Sequence, residues 1–250
     1  MTNSVKKRFG LLGKNISYSF SKGYFTDKFK SDEFEGCTYE NFDIPAIEGF
    51  VTIIKENHHE LNGINVTIPY KEAVMPYLDK LSKKATLIGA VNTIKFTRKG
   101  QLKGYNTDYY GFKKALKPLL QAHHKKAMIL GTGGASKGVA FALDELGITY
   151  RFVSRTTTDH AIGYDQINAE TFNEYQIFIN CTPVGTSPDI EASPPLPYNY
   201  FSPQHIAFDL IYNPDETTFL RKAKNQGAQI KNGLEMLVYQ AEKSWEIWNR

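Results

Sequence analysis

The sequence predicts an α/β protein, because short apolar runs alternate with stretches of helical periodicity along most of its length. Two such α/β patterns follow each other, one in the first hundred residues and one after a helix predicted at Tyr109–Leu120. A long amphipathic helix is predicted after them, at Gly233–Arg250. The 250 residues suit one large domain or two smaller ones.

The first pattern contains three predicted strands, each followed by a predicted helix. This alternation favours a mainly parallel sheet. The strands are predicted at Arg8–Leu12, Thr38–Phe42 and Gly63–Val66, and the helices at Gly23–Lys30, at Ile47–Asn57 and after Pro69.

The second pattern adds four predicted strands, with a helix between the first two. A stretch rich in Pro, Ser and Gly makes Pro183–Pro203 a long loop. On the last helix, the apolar stripe carries Trp245 and Trp248, which we predict to be core residues. The strands are predicted at Ala127–Leu130, Tyr150–Ser154, Ile177–Asn180 and Ile206–Leu210.

Charge and cysteine content argue against several classes of function. The net charge is +4, with lysines and acids interleaved, so the sequence predicts no nucleic-acid interface. Cys37 and Cys181 lie far apart, and neither they nor the adjacent pairs His58-His59 and His123-His124 have the spacing of a metal site. The sequence has no signal-peptide pattern and no membrane-spanning apolar run, so we expect a soluble cytoplasmic protein without a metal.

A glycine-rich turn, Gly131-Thr132-Gly133-Gly134-Ala135, separates the strand at Ala127–Leu130 from the helix that follows. Glycines let the backbone approach a pyrophosphate closely, and the helix N-terminus supplies unpaired N–H groups. Ser136 stands where the third glycine of a GxGxxG motif belongs. The strand–turn–helix context still favours dinucleotide binding; the alternative is a glycine-rich turn without a ligand.

The end of the next strand indicates which dinucleotide is bound. NAD sites usually place Asp or Glu there, roughly 20 residues past the glycines, to bind the ribose hydroxyls. This chain has Ser154-Arg155-Thr156 instead. A cation in place of an acid favours the 2′-phosphate of NADP, unless Arg155 is only a solvated loop residue.

Polar residues beside glycine are concentrated in four segments of the first half of the chain. Parallel sheets bind ligands beyond the carboxyl ends of their strands. Hydroxyls and amides there suit a small polyhydroxylated acid, and a lysine with an aspartate can form the proton-transferring pair that carbonyl reduction needs. The segments are Ser17-Tyr18-Ser19-Phe20-Ser21, Asn65-Val66-Thr67-Ile68-Pro69-Tyr70-Lys71, Gly89-Ala90-Val91-Asn92-Thr93 and Gly104-Tyr105-Asn106-Thr107-Asp108.

Parts of these segments, with Gly131–Ala135 and Gly233–Gln240, resemble the shikimate dehydrogenase family in the family's own order. The resemblance implies an N-terminal α/β substrate domain and a Rossmann-like cofactor domain, with an active-site cleft between them. It places the substrate domain at residues 1–107 and the cofactor domain at 108–232. The helix at 233–250 is then expected to pack back on the first domain.

The resemblance also implies a role for each matching residue. Lys71 and Asp108 match the family's catalytic pair, which also contacts the substrate, and Ser19 and Ser21 match two serines that hold the substrate carboxylate. Further substrate contacts match Thr67, Asn92, Asn106, Tyr212 and Gln240. Cofactor contacts match Gly131, Gly133, Gly134, Ala135, Ser154, Arg155, Thr156 and Gly233.

The implied activity is the reversible, NADPH-dependent reduction of 3-dehydroshikimate to shikimate, on the route to chorismate and the aromatic amino acids, by a monomer or homodimer. The chain departs from the family where Tyr18 and Lys22 replace the usual His and Pro, and where Ser154 replaces the usual Asn. Two alternatives stay open: a quinate/shikimate dehydrogenase that prefers NAD, and a non-catalytic dinucleotide sensor. An acid at the end of the Tyr150–Ser154 strand would favour the first, and loss of the lysine–aspartate pair the second; neither is seen.

Cofactor preference provides a first test. A guanidinium pairs with phosphate in a forked geometry, and we expect a gain of about 2–3 kcal/mol at an exposed site. This gain corresponds to a preference for NADP over NAD of roughly 30- to 150-fold in kcat/KM, which should weaken as salt rises. Arg155→Ala should remove most of the preference in steady-state kinetics and change the NAD kinetics little, while Ser154→Asp should shift the preference toward NAD. Equal use of NAD and NADP by the wild type at low ionic strength would contradict this assignment.

Overall fold

The computed structural model describes residues 7–17, 19–31, 34–57 and 60–250. The chain divides into two compact units. The first unit contains residues 1–107 together with Ala241–Arg250, and the second contains Asp108–Gln240. The boundary between these two units falls within the last helix, at Ala241. In the part of the chain that is described, no helix is both long and apolar enough to span a membrane.

The first unit is built on a six-stranded mixed sheet with strand order β2-β1-β3-β5-β6-β4. Its strands are β1 (Lys7–Gly13), β2 (Cys37–Asp43), β3 (Leu61–Val66), β4 (Lys80–Leu81), β5 (Thr93–Phe96) and β6 (Leu102–Tyr105). Its helices are α1 (Phe20–Lys28), α2 (Gly49–Asn57), α3 (Tyr70–Ala73) and α4 (Lys83–Ile88), and residues of the last helix complete the unit.

The first sheet is mainly parallel, as predicted, but one of its strands runs antiparallel to its neighbours. Strands β1, β2 and β3 pair in parallel, but β5 runs antiparallel to both β3 and β6. A tight turn joins β5 to β6, closed by the Thr97 N–H, which donates to the Gln101 carbonyl at 2.9 Å. A hairpin this short cannot provide the crossover that a parallel pair needs.

The first sheet buries apolar side chains on both faces. One face carries Leu12, Ile64 and Ile94 against α2, α3 and α4. The other carries Phe9 and Leu11 against α1 and the last helix, where Trp248 is 6% exposed. Trp245 packs against the same cluster, which confirms the prediction that both tryptophans are core residues.

The second unit has six strands, which all pair in parallel in the order β12-β11-β10-β7-β8-β9. These strands are β7 (Lys126–Leu130), β8 (Thr149–Ser154), β9 (Ala161–Gly163), β10 (Ile177–Asn180), β11 (Ile206–Asp209) and β12 (Gln229–Lys231). The helices are α5 (Asp108–Leu116), α6 (Gly134–Glu145), α7 (Ala169–Glu174), α8 (Thr218–Lys224) and the first part of α9 (Leu234–Asn249).

Alternate residues of the central strands face opposite sides of this parallel sheet. On β7, Ile129 packs in the cluster that contains helices α5 and α6, while Met128 and Leu130 pack in the cluster that contains α7 and α8. Helices thus cover both faces, which is the usual reason for near-continuous apolar runs in parallel strands. The runs at Ala127–Leu130 and Ile177–Asn180, read from the sequence as strands, have this origin.

Local sequence determines where two of the predicted helices begin and end. Helix α1 begins at Phe20 rather than Gly23, because the Ser19 hydroxyl caps it by accepting a hydrogen bond from the Ser21 N–H. Helix α5 ends at Leu116 rather than Leu120, because Pro118 introduces a 3₁₀ turn at Lys117–Leu119.

Helices α5 and α9 approach closely at Gly111. A Cβ atom at this position would lie 2.4 Å from the Met236 carbonyl oxygen and 3.1 Å from the Gln240 nitrogen. Both are backbone atoms of a helix, so neither can move aside on its own. Glycine at position 111 is therefore a requirement of helix packing.

Gly111→Ala should destabilise the second unit by about 1–3 kcal/mol, the usual cost of overpacking, although alanine normally favours a helix by about 1 kcal/mol over glycine. The control is Gly23→Ala in α1, where a Cβ meets no atom within 4 Å. Urea unfolding should show a loss of stability for the first variant and no loss for the second. Equal effects of the two substitutions would contradict the packing argument.

A buried carboxylate, Asp209, ends strand β11. It accepts hydrogen bonds from the Thr217 hydroxyl at 2.7 Å, the Asn180 amide at 3.0 Å and the Ile211 N–H at 3.0 Å. Burial nevertheless outweighs these donors and raises the pKa of Asp209 from 3.8 to about 6. The folded protein therefore binds a proton at Asp209 more tightly than the unfolded chain does.

This pKa difference predicts how stability depends on pH. The contribution of Asp209 is fully present below its unfolded pKa, near pH 4, and is lost as pH rises through its folded pKa of about 6. A rise of about two pKa units corresponds to about 3 kcal/mol. The unfolding free energy of the wild type, measured relative to Asp209→Asn, should fall by about this amount between pH 4 and pH 7. Thr217→Val removes a donor to the charged form and should move the midpoint to higher pH, whereas a pH-independent difference would disprove the assignment.

Candidate functional site

Four strand ends meet at one edge of the first sheet. The register pairs Leu12 of β1 with Val66 of β3, Asn65 with Thr93 of β5, and Thr93 with Tyr105 of β6. Because β5 is antiparallel, it presents its amino end where β1, β3 and β6 present their carboxyl ends. All substrate residues predicted for the first unit lie beyond this row.

The segment after β1 carries the two predicted carboxylate-binding serines. The Ser19 hydroxyl accepts from the Ser21 N–H at 3.2 Å, and both residues are half-buried. The Ser21 side chain is also hydrogen-bonded to the buried Tyr39 hydroxyl. The two serines therefore lie at the start of one helix, at the same edge of the sheet. Tyr18, the predicted departure from the family, and His58-His59 lie outside the described residues.

The segment after β3 carries Thr67 and Lys71. The Thr67 N–H donates to the Leu12 carbonyl at 2.9 Å, which ties this segment to the end of β1. Lys71 lies in the short helix α3, half-buried, and its carbonyl accepts from the Val91 N–H at 2.7 Å. Backbone hydrogen bonds thus fix the positions of both residues relative to the neighbouring strand ends.

Asn92 and Asn106 come from the two ends of the antiparallel hairpin. Asn92 is 2% exposed, and its side-chain oxygen accepts from the Thr107 N–H at 2.6 Å. The Asn106 amide donates to the Ala90 carbonyl at 3.1 Å. Asp108, the first residue of α5, begins the second unit and is 5% exposed.

In the second unit, the glycine-rich turn lies between β7 and the N-terminus of α6. Gly131 has φ +102°, a left-handed conformation that favours glycine, and its N–H donates to the Val153 carbonyl at 2.8 Å. A Cβ at Gly133, the N-cap of α6, would meet no atom within 4 Å. The first turn of α6, which contains Gly134 and Ala135, has no acidic residue. Open space at a helix N-terminus free of acids fits a pyrophosphate.

The predicted 2′-phosphate residues lie at the end of β8, the strand beside β7. Ser154 is half-buried, and its hydroxyl accepts from the Thr156 N–H at 3.3 Å. Arg155 and Thr156 are exposed. The Asp165 carboxylate lies beside Gly163 of β9, which pairs with Ser154. A guanidinium and two hydroxyls at the end of this strand suit a phosphate better than a free ribose hydroxyl.

The remaining predicted residues lie in the loop after β11, directly before α9, or within α9. Gly233 donates its N–H to the Ile211 carbonyl at 3.0 Å, and a Cβ there would overlap the Leu210 carbonyl oxygen at 2.1 Å. Tyr212 follows in the same loop and is half-buried. Gln240 is 6% exposed and donates to the Leu237 carbonyl. Close backbone contact explains why glycine occupies position 233.

Several residues at these edges carry no prediction from sequence. In the second unit, Asn180 at the end of β10 donates to Asp209 and accepts from Thr182, and so joins two loops. In the first unit, Ser244 contacts residues of three strands or strand ends. Asn180 could have been predicted as a site residue, because it is a polar residue that ends an apolar run. Ser244 could not, because a serine on an amphipathic helix looks like a solvated residue.

Comparison with known proteins agrees with this arrangement. The profile of the shikimate dehydrogenase substrate binding domain matches residues 11–94. The chain is 38% identical to shikimate dehydrogenase (NADP(+)) of Caldanaerobacter subterraneus subsp. tengcongensis, over 98% of this chain and 92% of that protein.

Solved structures give the same result. Shikimate dehydrogenase from Aquifex aeolicus is 32% identical, with a TM-score of 0.87 over 100% of this chain and 94% of that one. Shikimate 5-dehydrogenase from Thermus thermophilus, in complex with NADP(H) and shikimate, is 36% identical, with a TM-score of 0.85 over 96% and 92%. Both are α/β proteins, as this chain is. Since its identity to curated relatives extends over nearly the whole sequence, the chain belongs to the shikimate dehydrogenase family.

Proposed function

We propose that this protein catalyses the reversible, NADP-dependent interconversion of 3-dehydroshikimate and shikimate. The observation that carries the proposal is the single edge of the first sheet. Hydroxyls, amides and a lysine from four neighbouring strand ends lie there, and each matches the family's pattern. A small hydroxylated ring with one carboxylate needs this mixture of donors and acceptors.

We assign the substrate groups by chemistry. Ser19 and Ser21 lie at the start of α1 and bind the carboxylate through hydroxyl donors. Thr67, Asn92 and Asn106 bind the ring hydroxyls, which both donate and accept hydrogen bonds. Tyr212 and Gln240 of the second unit complete the substrate contacts.

The proton transfer is assigned to Lys71 and Asp108. Reduction of the ketone places negative charge on the carbonyl oxygen, and NADPH supplies the hydride when bound. The Lys71 ammonium gives its proton to that oxygen, and in the reverse direction the neutral amine takes the proton of the hydroxyl. Asp108 is its partner in this transfer.

The cofactor residues divide between pyrophosphate and 2′-phosphate. Gly131, Gly133, Gly134 and Ala135 form the turn that approaches the pyrophosphate. Ser154, Arg155 and Thr156 bind the 2′-phosphate through two hydroxyls and a guanidinium. Gly233 lets the loop after β11 pass close to the start of α9.

The proposal extends to organisation and location. We propose that the first unit is the substrate domain and the second the cofactor domain, with α9 shared between them as the structure divides it. A cytoplasmic location is supported by Cys37 and Cys181, which are both unpaired.

The test is a steady-state assay that follows the reduced nicotinamide, with shikimate and quinate each crossed with NADP and NAD. Lys71→Ala should lower kcat with shikimate by about 10²–10⁴, the range for loss of a general acid–base group. Asp108→Asn should act on the same step, and the double variant should be less than additive because the two residues act as a unit. Lys83→Ala, at an exposed lysine of the same unit, should leave kcat unchanged.

Either of two results would overturn the proposal. A near-normal kcat in Lys71→Ala would remove this lysine from the chemistry. Faster turnover of quinate with NAD than of shikimate with NADP would favour the quinate-type alternative.

A further inference from the structure

Four buried polar side chains of the first unit form a closed ring of hydrogen bonds, which we call the hydroxyl–amide ring. Its members are Asn92, Thr93, Thr107 and Ser244, each at most 2% exposed. Ser244 lies on α9, Asn92 and Thr93 lie at the start of β5, and Thr107 follows β6. Three separate chain segments therefore meet at one point beneath the polar edge of the sheet.

The ring fixes the orientation of the Asn92 amide. One side-chain atom lies 2.6 Å from the Thr107 backbone nitrogen, which can only donate, so that atom must be the oxygen. The same oxygen accepts from the Thr93 hydroxyl at 3.1 Å and lies 3.2 Å from the Thr107 hydroxyl, which can also donate to it. The Asn92 nitrogen then donates to the Thr107 hydroxyl at 2.9 Å.

The hydroxyls of Ser244 and the two threonines complete the ring. The Ser244 hydroxyl lies 3.2 Å from the Thr107 hydroxyl and 2.7 Å from the Thr93 hydroxyl, and in both pairs either oxygen can donate. Hydrogen bonds thus connect Ser244 to Thr93, Thr93 to Asn92, Asn92 to Thr107, and Thr107 back to Ser244.

Asn65 attaches this ring to the adjacent strands. Its amide nitrogen donates to Ser244 at 3.0 Å, and its oxygen accepts from the Tyr39 hydroxyl at 2.8 Å. Tyr39 is hydrogen-bonded in turn to Ser21. The Ser244 hydroxyl therefore contacts Asn65, Thr93 and Thr107, which belong to three different strands or strand ends.

We propose that Ser244 is a positioning residue, whose hydroxyl closes the ring and thereby fixes the Asn92 amide and the Thr107 backbone for substrate binding. The inference deepens the proposed function and rests on it, because it takes Asn92 and Asn106 as substrate contacts. Without the Ser244 oxygen, the Asn65 amide nitrogen and the hydroxyls of Thr93 and Thr107 each lose a hydrogen-bond partner. The two hydroxyls that bond directly to the Asn92 amide are then less restrained, and the orientation of the amide is less restrained with them.

Thr93 allows a test that separates hydrogen bonding from packing, because Thr93→Val keeps the volume and removes the hydroxyl, whereas Thr93→Ser does the opposite. Thr93→Val removes both ring hydrogen bonds of this hydroxyl, with Asn92 and with Ser244, whereas Thr93→Ser keeps both. We therefore expect Thr93→Val to lower kcat/KM for shikimate by about tenfold or more, and Thr93→Ser by no more than about threefold. The KM for NADP should stay within about twofold in both variants, since the ring lies in the first unit. If packing alone mattered, Thr93→Ser would be the worse variant.

Ser244→Ala should reproduce the effect of Thr93→Val, and the double variant should be less than additive because both break one ring. The matched control is Trp248→Phe on the same helix, which removes the bond from the Trp248 indole N–H to the Ile94 carbonyl at 3.0 Å without touching the ring. It should lower the Tm but preserve kcat/KM for shikimate. Thermal unfolding of every variant gives its loss of Tm, so that kcat/KM can be compared between variants with equal losses.

The outcomes are distinguishable. An active wild type in which Thr93→Val equals Thr93→Ser, or Ser244→Ala equals Trp248→Phe, overturns the positioning role alone. Absence of shikimate turnover in the wild type overturns the proposed function, and this inference with it.

Discussion

A buried amide must pair both its oxygen and its nitrogen, because an unpaired polar group away from water costs about 1–3 kcal/mol. Asn92 meets this requirement with a backbone N–H and two hydroxyls, all from the first unit. One of these partners, Thr107, comes from the far side of a hairpin. Ser244 of the last helix is hydrogen-bonded to both hydroxyls. The polar edge of the first sheet therefore depends on an antiparallel strand and on a helix that is more than a hundred residues away in sequence.

The second unit solves a similar problem with a charge. Its sheet is buried on both faces, so a polar group at a strand end is exposed to little water. Asp209 is held by three donors, and its partner Asn180 also holds Thr182 and the Val184 carbonyl. The pair joins the loops after β10 and β11, at the edge where parallel sheets bind ligands. Burial raises the pKa of Asp209, so its charged form lowers the stability of the fold. We therefore assign this pair to the positioning of the two loops rather than to stabilisation of the fold.

The sequence predicted the elements with a strong period or a long apolar run, such as β7, β10 and α9. It missed the short elements, among them α4, α7, β9 and β12, because three to six residues carry too little periodicity to stand out. The antiparallel β5 was missed because Thr93–Phe96 lies among polar residues that looked like loop. Individual site residues such as Lys71 could be named from family resemblance. Ser244 could not, because its role depends on three partners that only the folded chain brings within hydrogen-bond distance.

The departure at Ser136 shows how a local hydrogen bond can replace a motif residue. The third glycine of a GxGxxG turn permits close packing of the helix on the strand. Ser136 is fully buried at this position, and its hydroxyl donates to the Gly133 carbonyl at 2.6 Å. The side chain therefore folds back on its own turn, within the space of the first helical turn. Gly131 and Gly133 keep the conformational freedom and the open space that a pyrophosphate needs, so the substitution leaves the binding end of the turn unchanged.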